Sequence, residues 1–317
     1  MGKNIFTSKH FHDEEAARAW FEAARWPEGA YCPKCGSLDP YKTKKPGVYR
    51  CRAKECRKDF TVMTGSVMER SHAKLTQWAV AFTMAASSKK GFSAHQLHRQ
   101  LGCQYNTAWF LHHRVMEAMR EGGLDLPPMG GAGQIVEADE TYFGGVESEK
   151  MRTATTRGRK FAKEGRGSLA NKRAIVTLVE RHGKVRSFHV PRADKATVFK
   201  IVKDNIARES NLHTDESSLY RGSEALFGGT HETVKHSAKE YARGDVHVNS
   251  AEGYFSIFKR GMRGVYQHCS EKHLHRYLAE FDFRYNHREA LGVDDETRTV
   301  AAIKAGEGKR LTYHQVD

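Results

Sequence analysis

Residues 135–143 read Ile-Val-Glu-Ala-Asp-Glu-Thr-Tyr-Phe, and Gly144-Gly145 follow. β-Branched and aromatic residues at both ends, with a glycine pair as terminator, make this stretch a strand. Downstream, residues 173–179 and 185–190 read as two more strands joined by a turn at His182-Gly183. A helix is expected over residues 195–209, then a short strand ending Leu212-His-Thr-Asp215, then helices from Glu252 onward. Strands followed by a helix, a strand and more helices predict an α/β layer domain with a mixed sheet, spanning 133–290. The expected insertion 147–173 holds nine Lys/Arg against three Glu, with Arg159 and Lys160 in its middle. Such a loop suits a phosphate backbone. Residues 291–317 read as a C-terminal tail.

The acids in this block attract attention. Asp139 lies late in the first strand, Asp215 ends a later one, and Glu252 opens the helix Gly253-Tyr-Phe-Ser-Ile-Phe-Lys-Arg260. Hard divalent cations prefer carboxylate oxygens, so three acids from two strand ends and a helix start suit a pair of such ions. Two ions can stabilise both the attacking and the leaving oxygen at phosphorus. Spacing alone leaves alternatives open. Glu140 and Glu216 adjoin the two aspartates, and Glu252 follows Asn249 with the spacing of a capping box.

Upstream, Cys32 and Cys35 are two residues apart, and Cys51 and Cys56 enclose four. Four thiolates converging from two turns suit one structural Zn²⁺ and leave no position open for substrate. Tyr49 and Phe60-Thr-Val suit short strands, and residues 13–25 form a packing helix with Ala16, Trp20, Phe21 and Ala24 on one face. This block, 1–70, precedes a helical one, 71–125. There Leu75, Trp78, Ala79, Phe82 and Ala86 make an apolar stripe, Ser93 caps a short helix, Gly102 ends it, and Ala108, Leu111, Val115 and Met119 face inward on a longer helix. The layout is that of a helix-turn-helix. Tyr105, Asn106, Thr107, His112, His113 and Arg114 are expected on its outer face, with Lys89, Lys90 and Arg99 adding charge for DNA.

The 317 residues carry 52 Lys+Arg against 38 Asp+Glu, a net charge of +14, which favours a polyanionic partner. Hydrophobic residues at 39% and charged ones at 28% describe a globular chain of two or three domains and exclude fibrous and low-complexity classes. No apolar run is long enough for a membrane span, and residues 1–10 lack a signal-peptide core, so no membrane partner is expected and the location is read as cytoplasmic, on the nucleoid when bound to DNA. No GxxxxGK loop is present, which argues against a nucleotide cofactor.

Six motifs in order, CPKCG (32–36), TGSVMERSH (64–72), SSKKGFSAHQLHRQLG (87–102), EADETYFGG (137–145), HTDESSLY (213–220) and the run from VNSAEGYFSIFKRG to RYNHR (248–288), carry a resemblance. The chain resembles DDE-type insertion-sequence transposases of the ISXO2-like group, which join an N-terminal zinc ribbon to an RNase H-like, retroviral-integrase-like catalytic domain. The resemblance implies a catalytic triad of Asp139, Asp215 and Glu252 holding two Mg²⁺ or Mn²⁺ ions. It also implies cleavage at transposon ends and transfer into target DNA, with assembly as a dimer or higher oligomer on paired terminal inverted repeats. Lys259, seven residues after Glu252 and on the same helical face, matches a residue used near the DNA end, and Arg260, Arg263 and Lys272 add charge beside it; Tyr266 is expected to stack on an unpaired base. Two alternatives share parts of this reading: a DNA-binding regulator with an inert RNase H-like domain, and a metal-dependent nuclease that cuts without joining.

Overall fold

The computed structural model describes residues 5–121, 126–145, 172–226, 229–234 and 242–312. The expected basic insertion, with Arg159 and Lys160, falls almost wholly outside them. The chain forms two compact units: Met1–Glu121 together with His287–Asp317, and Gly122–Asn286.

In the first unit, helix α1 (Glu14–Arg25) starts at Asp13, whose side chain accepts from the Ala16 N–H at 2.7 Å. It buries Ala17, Phe21 and Ala24. A three-stranded antiparallel sheet follows, β1 (Pro40–Lys42), β2 (Tyr49–Cys51) and β3 (Asp59–Phe60). Tyr49 stacks on Phe60 with ring centroids 5.6 Å apart, and Trp26 meets both edge-on. Helix α2 (Leu75–Ser87) buries the whole expected stripe. Gln77 Oε1 accepts from the N–H of Lys74 at the helix N-terminus, while the next N–H groups bond to Glu14 of α1, from Leu75 at 3.1 Å and Thr76 at 3.0 Å. Helix α3 (Ala94–Leu101) is capped by Ser93 and stopped by Gly102 at φ +59°, where glycine bears no Cβ penalty. Helix α4 (Tyr105–Met119) completes the helix-turn-helix layout.

Three expectations change here. The tail holds a helix, Asp295–Ala305, that packs on α1, α2 and α4. Its guanidinium Arg298 is buried and donates to the carbonyls of Ala86, His287 and Val293. A short helix anchored by an arginine has little apolar periodicity to read in advance. Arg114 is spent inside the unit, donating to the carbonyls of Val67 and Glu69 at 3.2 and 3.1 Å. His112 and His113 are buried, beside Phe92 and Trp109 respectively, because α4 is packed on more sides than a two-sided helix would be.

The second unit is built on a five-stranded mixed sheet in the order β6-β5-β4-β7-β8: β4 (Ile135–Gly145), β5 (Lys172–Glu180), β6 (Val185–Val190), β7 (Asn211–Asp215) and β8 (His231–Val234). The first three run antiparallel, while β7 lies parallel to β4 and β8 parallel to β7. This is the expected RNase H-like layout, with β8 the strand that the sequence left unread. Alternate residues of β4 serve opposite faces. Val136 and Ala138 join the core against Val198, Ile201 and Val202 of helix α5 (Lys195–Asn205). Phe143 meets Phe258 of helix α6 (Asn249–Gly261), which in turn meets Phe281 of helix α7 (Leu274–Asn286). The C-terminal helix of the first unit is then α8 (Asp295–Ala305).

Candidate active site and zinc ribbon

The pleat sorts the acids. The last registered pair between parallel β4 and β7 is Ala138↔Thr214, so the next residues, Asp139 and Asp215, come side by side. Asp139 shares its face with Glu137 and Phe143, the face covered by α6, whereas Glu140 turns to the α5 face and accepts from Ser217 Oγ at 3.1 Å. Asp215 is held by its own turn, its carboxylate accepting from the Ser217 N–H at 3.0 Å. Glu252 sits exposed in the first turn of α6.

Burial, followed by the charge of Asp215 and those of Glu140 and Glu252, pushes the Asp139 carboxyl up to about 8. Burial and Asp215 likewise raise Glu140, and burial with these acids raises the enclosed Tyr220 hydroxyl far above its usual range. Carboxylates crowded this way ask for cations, and an all-oxygen donor set suits a hard divalent ion. Among the described residues no three acids bring their oxygens within 4.8 Å of one another, as the cysteines do.

One turn past Phe255, Lys259 lies over the ring at 5.8 Å. Burial lowers its ammonium below the usual range, Arg263 adds to this, and Asp139 opposes it, so Lys259 and the acid site share one field. Arg260 and Arg263 are exposed, as are Lys89, Lys90 and Asn106 in the first unit. Tyr266 departs from expectation. It ends a π-helical turn, Met262–Tyr266, and its hydroxyl donates to Glu280 at 2.7 Å while its ring packs edge-on against Tyr277 and Phe281. A tyrosine so engaged is an anchor for α7.

The residue that sequence reading missed is Glu137. It is fully buried, paired with Arg181 at 2.9 Å, and its carboxylate takes the N–H groups of Ser250 and Ala251 at the start of α6. The expected cap by Asn249 is not made: Val248 holds the N-cap position, and its side chain has no acceptor. A glutamate at an inward position of a buried strand was the available signal, since a buried charge requires partners.

In the ribbon, the four sulfurs lie within 4.8 Å of one another, with Cys32–Cys56 at 3.8 Å and Cys35–Cys51 at 3.5 Å. A tetrahedron of sulfurs about 2.3 Å from zinc has edges of about 3.8 Å. The wider second pair is absorbed by a turn in which the Cys56 and Arg57 N–H groups both bond to the Ala53 carbonyl. Against burial, the N–H groups of Lys34 and Cys35 draw the Cys32 thiol down to about 7, toward the thiolate that zinc takes.

Residues 131–286 match the model of the ISXO2-like transposase domain, and residues 12–59 that of the transposase zinc-ribbon domain. An uncharacterized protein in transposable element ISH50 of Halobacterium salinarum is 28% identical over 300 residues, covering 91% of this chain and 98% of the relative. A chain in the cryo-EM structure of the simian T-cell lymphotropic virus intasome in complex with PP2A regulatory subunit B56 gamma aligns at a TM-score of 0.28 and 12% identity, over 59% of this chain and 67% of that one. That likeness is too slight to bear on the reading. With both modules matched in order, residues 131–286 are an ISXO2-like transposase domain and residues 12–59 a transposase zinc ribbon.

Proposed function

We propose that the protein binds the ends of its transposable element and carries out metal-dependent strand cleavage and strand transfer into target DNA. The observation that carries this is the pairing of Asp139 with Asp215 on adjacent parallel strands, on the face covered by the helix that presents Glu252, with Asp139 burdened by its neighbours' charge. In this reading Asp139, Asp215 and Glu252 are the residues that would hold the Mg²⁺ or Mn²⁺ ions. Such ions, when bound, neutralise charge at phosphorus and ready the attacking oxygen. Lys259 and Arg263 beside them hold the phosphate of the end, and Arg260 extends the contact along the backbone.

Two chemical steps share this geometry. Water attacks the phosphodiester in line, and the bond to the 3′-oxygen breaks to free a 3′-OH. That hydroxyl then attacks a target phosphodiester, and the displaced 3′-oxygen takes the proton. Each is an oxygen attack on phosphorus, so one site serves both without a covalent enzyme–DNA species. In the first unit, Lys89, Lys90 and Asn106 are the residues proposed to meet DNA, and paired ends imply two or more copies of the chain.

The test is strand cleavage and joining with purified protein, Mg²⁺ or Mn²⁺ and the DNA flanking its gene, beside Asp139→Asn, Asp215→Asn and Glu252→Gln. Joined products lost in all three variants while end binding persists support the reading. Cleavage without joining makes the protein a nuclease, and specific binding without metal-dependent chemistry makes it a regulator.

A further inference from the structure

Helix α6 begins without a cap of its own, and the acceptor that replaces one comes from 113 residues upstream. Glu137 Oε2 accepts from the N–H groups of Ser250 at 2.8 Å and Ala251 at 3.2 Å, and Oε1 accepts from Ser250 Oγ at 2.9 Å. Oε1 also accepts two bonds from Arg181, from Nε at 3.1 Å and Nη2 at 2.9 Å. The same guanidinium donates to the carbonyls of Asp245 and His247, pinning the segment that leads into the helix. All of this is closed to solvent at Glu137, which is 0% exposed.

Position gives the arrangement its meaning. Glu137 lies two residues before Asp139 on the same strand face, and Ala251 immediately precedes Glu252. A bonded path between the two acids therefore runs along two residues of β4, across one hydrogen bond, and one residue along α6. We propose that Glu137 is a positioning residue for the acid site. It acts as a splint that sets the reach from Asp139 to Glu252, with Arg181 holding the splint in place, and so governs how tightly the site takes a divalent cation. The proposal rests on the reading of those acids given above.

A cap alone does not call for this construction. Asn249 stands at the helix start and could cap locally, and a buried ion pair is often no more stabilising than apolar residues of similar volume. What a remote carboxylate adds is a fixed distance between two elements. The molecule contains its own control: Glu14 receives the first N–H groups of α2 in the same way, with no reacting acid beside it.

The experiment measures Mn²⁺ binding to the full-length, zinc-loaded chain by electron paramagnetic resonance of the free ion, with thermal melting in parallel. Asp139→Asn identifies the site. Glu137→Gln removes the charge, and Glu137→Asp keeps it while drawing the splint in by one methylene. Both are expected to weaken Mn²⁺ binding by about 10- to 100-fold, the usual consequence of disturbing the groups behind a metal site. Glu14→Gln is expected to lower the melting temperature and leave Mn²⁺ binding unchanged. Glu137 variants that melt lower yet bind Mn²⁺ like the wild type would overturn the proposal, leaving a plain cap. Should they fail to fold, Ser250→Ala and Arg181→Lys decide it: weakened binding supports the splint, and unchanged binding refutes it. A wild-type chain without Asp139-dependent Mn²⁺ binding overturns the reading of the acids, and the splint with it.

Discussion

The ribbon and the acid site gather four cysteines and three acids under opposite rules. The sulfurs are brought within 4.8 Å by two turns, with backbone amides of the first drawing the Cys32 thiol down against burial, and zinc would find all four of its positions filled by protein. The acids stay farther apart and work against one another, to the point that Asp139 holds its proton up to about 8. A group that closes its own coordination shell is a fastener. A group that leaves positions open keeps room for water and phosphate oxygens, and the fold around it must bear the repulsion until cations arrive.

The largest test of this contrast is loss of zinc. Chelation, or Cys35→Ser, is expected to unfold the ribbon and abolish end binding, since structural zinc supplies about 10 kcal/mol or more to small domains; circular dichroism and DNA binding check it. Second, Asp139→Asn should remove cleavage by on the order of 10³-fold or more, as for other groups acting within a catalytic unit, while the metal-free protein melts no lower than the wild type. A large drop in melting temperature there would break the comparison, because the acid would then be a fastener too. Third, Arg298→Ala should cost the first unit about 3 kcal/mol in denaturant melts, by leaving the Ala86, His287 and Val293 carbonyls without their shared donor.

The smallest effect concerns pH. Lys309 donates to the Ala118 and Arg120 carbonyls at the end of α4, and burial, with Arg120 beside it, lowers its ammonium to about 8. The unfolded chain thus binds more protons than the folded one between about pH 8 and pH 10, and stability from this group rises over that window. Lys309→Met should lose that rise relative to the wild type, as read by melting at each pH.

Much of the architecture was legible where local chemistry sets it. The cysteine spacing, the Ser93 cap, the Gly102 stop and the strand ending at Asp215 are decided by a few neighbouring residues, and the structure has all of them. The side-by-side placement of Asp139 and Asp215 follows from strand register, which no single strand encodes. Contacts made across long sequence separations were hidden. Glu137 looks like one more strand acid until α6 arrives to use it, Tyr266 looks like a free aromatic until Glu280 claims its hydroxyl, and Arg114 looks like a DNA contact until two backbone carbonyls take it. Strand β8 is four residues bordered by polar stretches, too short to announce itself.

The return of α8 to the first unit bears on how the chain is made. The sheet unit is contiguous in sequence, so all of its residues have been joined into the chain before α8 is synthesised. The helix-turn-helix unit, although its translation starts first, waits for the residues after 287 to cover α2 and to deliver Arg298 to the Ala86 carbonyl. Domains made in one piece fold as they emerge, whereas one split across an insertion cannot finish until its second half is out. Here every residue of the unit carrying the acids precedes α8, so a chain truncated after residue 290 would keep the whole sheet unit and lack the last helix of the bundle.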